Sequence, residues 1–280
     1  MEQRFENPTV ARSGLSPATG ERVLYATAIA VFVFCAWLTW HFCTSMGGDM
    51  DMLMPGGWTM SGMWMWMPGQ TWAGSTVMFL AMWVAMMVAM MLPSVLPMVV
   101  IYRRAAAFRQ DRRPDLSAAL LILGYFGVWS ALGLLAYAAG MLAADAAMRW
   151  TPVSRAVPPA CGAALVACGI FQLTPMKSAC LRHCRDPLGL VACHVGGGPL
   201  AALRLGIHHG LFCAACCWAL MVIQLVLGIM GIPVMVAVAA VIALEKLIPC
   251  GQWVARLTGV AAIAGGAFWM IRSLIAMRVA

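Results

Sequence analysis

The stretch MFLAMWVAMMVAMM, Met78 to Met91, decides how this chain is read. Met78, Met82, Met86 and Met90 follow one another at steps of four, with Met87 and Met91 as a second row beside them, so on a helix six thioethers line adjoining faces. The surrounding apolar run, roughly 72 to 93, is long enough to cross a bilayer, which takes about 20 residues. Fifteen of the 24 methionines fall between Met46 and Met98, and the loop from 46 to 71 supplies eight of them together with three of the twelve tryptophans. A methionine stripe at helical spacing ordinarily packs against a neighbour. Thioethers are also soft, uncharged donors that suit Cu(I). The stripe alone leaves both readings open.

Working outward, the chain is 280 residues long, 63% hydrophobic and 10% charged, where a soluble domain carries about a quarter charged residues. Seven apolar segments are long enough or nearly so to span: roughly 23 to 42, 72 to 93, 116 to 143, 157 to 173, 205 to 229, 231 to 248 and 253 to 271. The expected fold is an all-α, polytopic transmembrane helical bundle of about seven spans. It forms a single transmembrane domain over 23–280 behind a disordered cytoplasmic tail, 1–22. The net charge of +8 does not point to nucleic acid, because the basic residues are split among short loops. With the N-terminus inside, 14 of the 18 Lys and Arg residues fall in cytoplasmic segments, as the positive-inside bias requires. The expectation is a multi-pass protein of the bacterial inner membrane with the methionine- and tryptophan-rich loop 43–71 in the periplasm. An odd number of spans leaves Arg272 and Arg278 outside, against that bias, so the last helix is re-entrant or miscounted. Most of the eleven cysteines lie in spans or cytoplasmic loops, where thiols stay reduced. The first apolar run, with no small-residue cleavage site after it, reads as a retained helix.

In the periplasmic loop, Met50, Met52 and Met54 alternate with Asp51 and Leu53, and Met60, Met63, Met65 and Met67 are interleaved with Trp64 and Trp66. Interfacial tryptophans need no further reason, whereas a thioether cluster flanked by indoles could shield a soft monovalent cation. His41 and Cys43, at the outer end of the first helix, are more often incidental than ligating. The second helix is expected to stop at Pro93, with Pro97 beyond it. Gly124, Gly127, Gly133 and Gly140 give the third helix small residues for close contact. Cys161, Cys168 and Gln172 share a face of the fourth, most simply as packing.

Thr174-Pro175 supplies an N-cap and a first-turn proline for a short helix to Arg185. It holds Cys180 and Cys184 one turn apart with His183 beside them, among Lys177, Arg182 and Arg185. The spacing is C-x-x-x-C, not the C-x-x-C of zinc ribbons or thioredoxin-like sites. This Cys/His-containing segment, 174–204, is placed in the cytoplasm. On the next helix, with His209 at zero and about 100° per residue, Cys213 falls near about +40°, Cys216 near about −20° and Cys217 near about +80°. Three cysteines and a histidine on one face, inside a span, favour ligation over packing. Glu245-Lys246 reads as an interfacial ion pair, with a relay role for the glutamate as the alternative. Gly265 and Gly266 read as packing.

Three motifs, AMMVAMMLPS (Ala85 to Ser94), FQLTPMKSACLRHCRDPLG (Phe171 to Gly189) and CCWALM (Cys216 to Met221) with the later Glu245-Lys246, carry a resemblance over most of residues 72 to 270. In these the chain resembles a bacterial family of integral membrane proteins described as metal-binding, some members of which are labelled copper chaperones. The resemblance implies metal handling and leaves the mechanism unassigned.

The leading expectation is a membrane protein that binds Cu(I) and moves it or delivers it to a copper-receiving protein. Thioethers (Met78, Met82, Met86, Met87, Met90, Met91) would serve as outer ligands, and thiols and imidazoles (Cys180, His183, Cys184, His209, Cys213, Cys216, Cys217) as inner ones, in order of rising donor strength. Zn(II) at the Cys/His face stays open. A membrane thiol-disulfide oxidoreductase and a structural subunit of a membrane complex are the alternatives, the former weakened by the lack of C-x-x-C. Expected partners are membrane lipid and the metal ion, and no nucleic acid.

Overall fold

The computed structural model describes residues 17–46, 52–65, 69, 71–109, 111, 113–194 and 198–279. Most of the expected N-terminal tail, and Met50, Asp51, Trp66 and Met67, lie outside them. The fold is an all-α bundle: α1 (Pro17–Met46), α2 (Trp72–Phe108), α3 (Pro114–Arg149), α4 (Thr151–Leu173), α5 (Pro175–Cys184), α6 (Pro187–His194), α7 (Gly198–Gly228), α8 (Ile232–Leu247) and α9 (Gly251–Val279). Its one sheet among the described residues is a hairpin, β1 (Met52–Met54) with β2 (Trp58–Met60), pairing Met52 with Met60 and Met54 with Trp58. Pro55 and Gly56, with Gly56 at φ 108° and Gly57 at φ 75°, turn the chain between the strands, a geometry that suits proline followed by glycine.

Six helices, α1, α2, α3, α4, α7 and α9, are long and apolar enough to cross a membrane. The seventh expected span, α8, has 16 residues, about 24 Å at 1.5 Å per residue, which is short of a hydrocarbon core about 30 Å thick. Gly162 of α4 meets Gly266 of α9, and Gly169 meets Gly259, so these two helices run antiparallel. Gly124 packs on the α7 backbone at Leu203 to Ile207, and Gly206 packs on that of α3 at Leu121. These two helices run parallel and so close that neither glycine could carry a Cβ.

Two expectations need correction. α2 does not stop at Pro93: it continues through Pro93 and Pro97 to Phe108, as membrane helices do when neighbouring helices and side chains compensate for the lost backbone bonds. α4 likewise starts at Thr151, ahead of the expected 157, and runs through Pro158 and Pro159. Of the glycines read as contact points, Gly133 seats Trp83 and Gly140 seats Trp64, whereas Gly127 and Gly265 meet nothing within 4 Å.

The bundle has two distinct ends. At one, the hairpin lies on the α3–α4 junction, with Met54 and Met60 buried against Ala144 and Ala147; the Trp58 indole donates to the Ser154 carbonyl at 2.9 Å and the Ser154 hydroxyl to that of Pro55 at 2.7 Å. At the other are α5 and α6, an Arg103–Asp115 pair of 2.6 Å and the Arg104–Glu21 pair that ties α1 to α2.

Candidate metal centre

On α2, capped by the Thr71 hydroxyl accepting from Gly74 N–H, the helical period buries Met82, Met86, Met87, Met90 and Met91 in the core, with Met98 extending the row. Met78 is the exception. It is 43% exposed and stands apart from the row. Above the row the Phe79 ring packs between Trp64 (centroids 5.7 Å), Tyr137 (4.7 Å) and Trp83 (5.9 Å). The Trp83 indole donates to the Trp129 carbonyl at 2.9 Å. One thioether has a polar contact: Gln224 Nε2 of α7 donates to Met86 Sδ at 3.1 Å, while Gln224 Oε1 is buried without a hydrogen-bond partner. A buried amide that leaves its own carbonyl unmatched costs stability, so this residue is placed at some expense beside the sulfur.

In the same continuous core, α7 buries His209, Cys213, Cys216 and Cys217 completely or nearly so, as their shared helical face requires. Cys213 Sγ accepts from Lys246 Nζ at 2.8 Å and shares a 2.8 Å hydrogen bond with the Tyr125 hydroxyl. Cys216 and Cys217 bring their sulfurs to 3.4 Å. Cys213 is the next thiol beside Cys217, and Cys184, at the end of α5, the next beside Cys216. Four thiols thus form a chain in the order Cys184, Cys216, Cys217, Cys213, drawn from two helices and ending on a lysine. It is a chain of pairs: among the described residues no three His, Cys, Asp or Glu side chains converge closely enough to hold a metal ion. With metal–sulfur bonds near 2.3 Å, the length for zinc thiolates, two sulfurs on one ion sit about 4 Å apart or more, so Cys216 and Cys217 would have to part by roughly half an ångström to share one.

The imidazoles sit beside this chain. His209 stacks on Tyr125 (centroids 5.5 Å) and its Nδ1 is buried without a hydrogen-bond partner. His183 packs on Phe212 (3.9 Å) and lies 5.4 Å from His208, and its Nε2 is likewise buried and without a hydrogen-bond partner. Cys180 is half-buried against the core. His41, at the far end of α1, stacks on Trp37.

Glu245 and Lys246 do not pair with each other. Neighbours on a helix project about 100° apart, and each finds a different partner. Glu245 accepts from Lys177 Nζ at 2.6 Å and from Gln172 Nε2 at 2.9 Å, while Lys177 also donates to the Cys216 carbonyl at 2.7 Å. Both charged side chains are 1% exposed. This network ties α4, α5, α7 and α8 together directly beside the thiols. Lys177, Lys246, Tyr125 and Gln224 were not among the expected site residues. The signal was present for Lys246, since a charge inside an apolar helix needs a partner, but the partners of Lys177 and Lys246 lie 68 and 33 residues away.

A family model described as PpoB2, copper chaperone, matches residues 80–269. The chain belongs to that family. The matched range contains the thioether row from Met82 onward, the thiol chain, and both lysines with their partners, and it leaves out α1, the hairpin and Met78. No curated protein and no solved structure matches the chain. Family membership and six apolar helices are compatible with copper handling by a membrane protein.

Proposed function

We propose that this membrane protein carries copper as Cu(I), passing it between the thioethers of α2 and the thiols of α7 and α5 on the way to a receiving protein. The observation that carries the reading is the chain of four thiols (Cys184, Cys216, Cys217, Cys213) set in one core with five buried thioethers. Thiolate and thioether together select a soft monovalent ion. Sulfurs that meet in pairs suit an ion passed from one two-ligand position to the next, as a carrier needs, better than an ion locked in a closed trio. Met82, Met86, Met87, Met90 and Met91 are the weak, neutral ligands of this scheme. Cys180, His183 and His209 are the flanking donors, His183 and His209 each with a buried nitrogen free of hydrogen bonds. Met78 has no place in it. The end bearing α5, α6 and most arginines is assigned to the cytoplasm of a bacterial inner membrane, with the N-terminus inside, on the positive-inside bias.

The test is anaerobic Cu(I) loading of the protein purified in detergent, with bound metal counted. Replacing Cys213, Cys216 and Cys217 by serine is expected to abolish tight binding, and replacing Met82, Met86, Met87 and Met90 by leucine to lower the stoichiometry, while both variants keep the elution volume of the parent. Full Cu(I) occupancy in the serine variant would overturn the proposal.

A further inference from the structure

Beside the Lys177–Glu245 network, where α4 ends and α5 and α9 begin, the bundle has an open cavity of about 350 Å³ whose polar lining comes from Gln172, Lys177, Ser178, Arg182, Gln252 and Arg256. No carboxylate lines it among the described residues. Lys177 already has its carboxylate in Glu245, but Arg182 and Arg256 are in no ion pair among the described residues. Both are exposed, and both border this one cavity. Two helices also begin at its wall: α5 at Pro175 and α9 at Gly251, with Pro175 and Gln252 in the lining. Few of their N–H groups are free, since Pro175 has none, Thr174 Oγ1 accepts from Lys177 N–H, and the Gly251 and Trp253 N–H groups donate to the Ile248 and Cys250 carbonyls, but both helix starts present positive potential. Two guanidinium groups and two helix starts around a carboxylate-free space are what an anion, and a phosphate above all, is recognised by.

The cavity's place in the bundle points to the source of that anion. The Arg256 guanidinium lies 5.1 Å from the centroid of the Trp253 ring. Trp253 is exposed at the arginine-rich end of the bundle, as tryptophans are at the headgroup level of a membrane. Basic pockets between spanning helices on the cytoplasmic side accept acidic lipid headgroups. We propose that this cavity is a binding site for a phosphate group, supplied by the headgroup of an anionic phospholipid and held by Arg182 and Arg256. It lies on the far side of the Lys177–Glu245 pair from the thiols and requires no metal, so it stands whether or not the copper reading does.

The experiment is a thermal melt of the full chain in a neutral detergent, with phosphatidylglycerol, phosphatidylcholine or inorganic phosphate added. Phosphatidylglycerol is expected to raise the Tm by several degrees and phosphatidylcholine not to. Arg182→Gln/Arg256→Gln should lose the shift and Arg182→Lys/Arg256→Lys keep most of it. A shift given equally by inorganic phosphate supports the phosphate site and assigns its source to the free anion instead of the lipid. Equal shifts with the two lipids, or a shift undiminished in the glutamine variant, overturn the proposal. Native mass spectrometry of the unaltered protein decides without any variant: phosphatidylglycerol should stay bound at collision energies that strip phosphatidylcholine, and loss of both at the same energy overturns it as well.

Discussion

Removing the Lys177 ammonium would strand the Glu245 carboxylate in a core where each of the two side chains is 1% exposed. Breaking a buried pair from one side typically costs about 3–5 kcal/mol, whereas replacing both partners with apolar residues of similar size is often neutral. Lys177→Met is therefore expected to lower the Tm of the detergent-purified protein sharply, and Lys177→Met/Glu245→Leu to recover most of the loss. Recovery would not be complete, because Lys177 also donates to the Cys216 carbonyl and Gln172 to Glu245. If the double variant melts as low as the single one, the pair is no self-contained unit and the network with Gln172 carries the stability. The same geometry explains why sequence order pointed to the wrong partner. Glu245 and Lys246 are adjacent in the chain, and only the packing of α5 and α7 against α8 reveals that one turns to Lys177 and the other to Cys213.

The helices as elements were legible because bilayer thickness and apolar length are tied together, and their shared faces because 3.6 residues per turn fixes which side chains align. That is why Met82, Met86, Met87, Met90 and Met91, and His209, Cys213, Cys216 and Cys217, are found buried along the faces their spacing requires. What a helix packs against was not legible, so neither the fate of Pro93 and Pro97 nor the length of α2 could be read locally. Glycines divide the same way. A Cβ on Gly206 would collide with the Leu121 backbone of α3, while one on Gly127 would meet nothing within 4 Å. Gly206→Ala is expected to destabilise by about 1–3 kcal/mol, the usual cost of forcing extra volume into a packed contact. Gly127→Ala should be neutral or stabilise by about 0.5 kcal/mol, through the better helix propensity of alanine. Melting temperatures of the two variants side by side check this, and equal losses would mean that the α3–α7 crossing is looser than drawn.

For the whole molecule, the antiparallel course of α4 and α9 fixes where the chain ends. Gly162 opposite Gly266 and Gly169 opposite Gly259 require α9 to start at the α5 end and finish at the hairpin end. α8 must therefore carry the chain back from the end of α7 to the arginine-rich end within 16 residues. Its last turn carries Glu245 and Lys246, and charges within an apolar helix persist when paired, as both are here, with Lys177 and Cys213. If α8 crosses in spite of its length, the C-terminal turn and the hairpin lie on one side of the membrane and Cys250 on the other, with Arg272 toward the hairpin side in spite of its charge. In intact cells a membrane-impermeant maleimide is expected to label Leu53→Cys, a substitution at a position 74% exposed on the hairpin, and Met277→Cys. Cys250, exposed in the turn before α9, should react only after the membrane is opened. Labelling of Cys250 together with Leu53→Cys, with Met277→Cys protected, would mean that α8 fails to cross. The short helix would then be re-entrant, and the thiol chain would be reached from one side of the membrane alone.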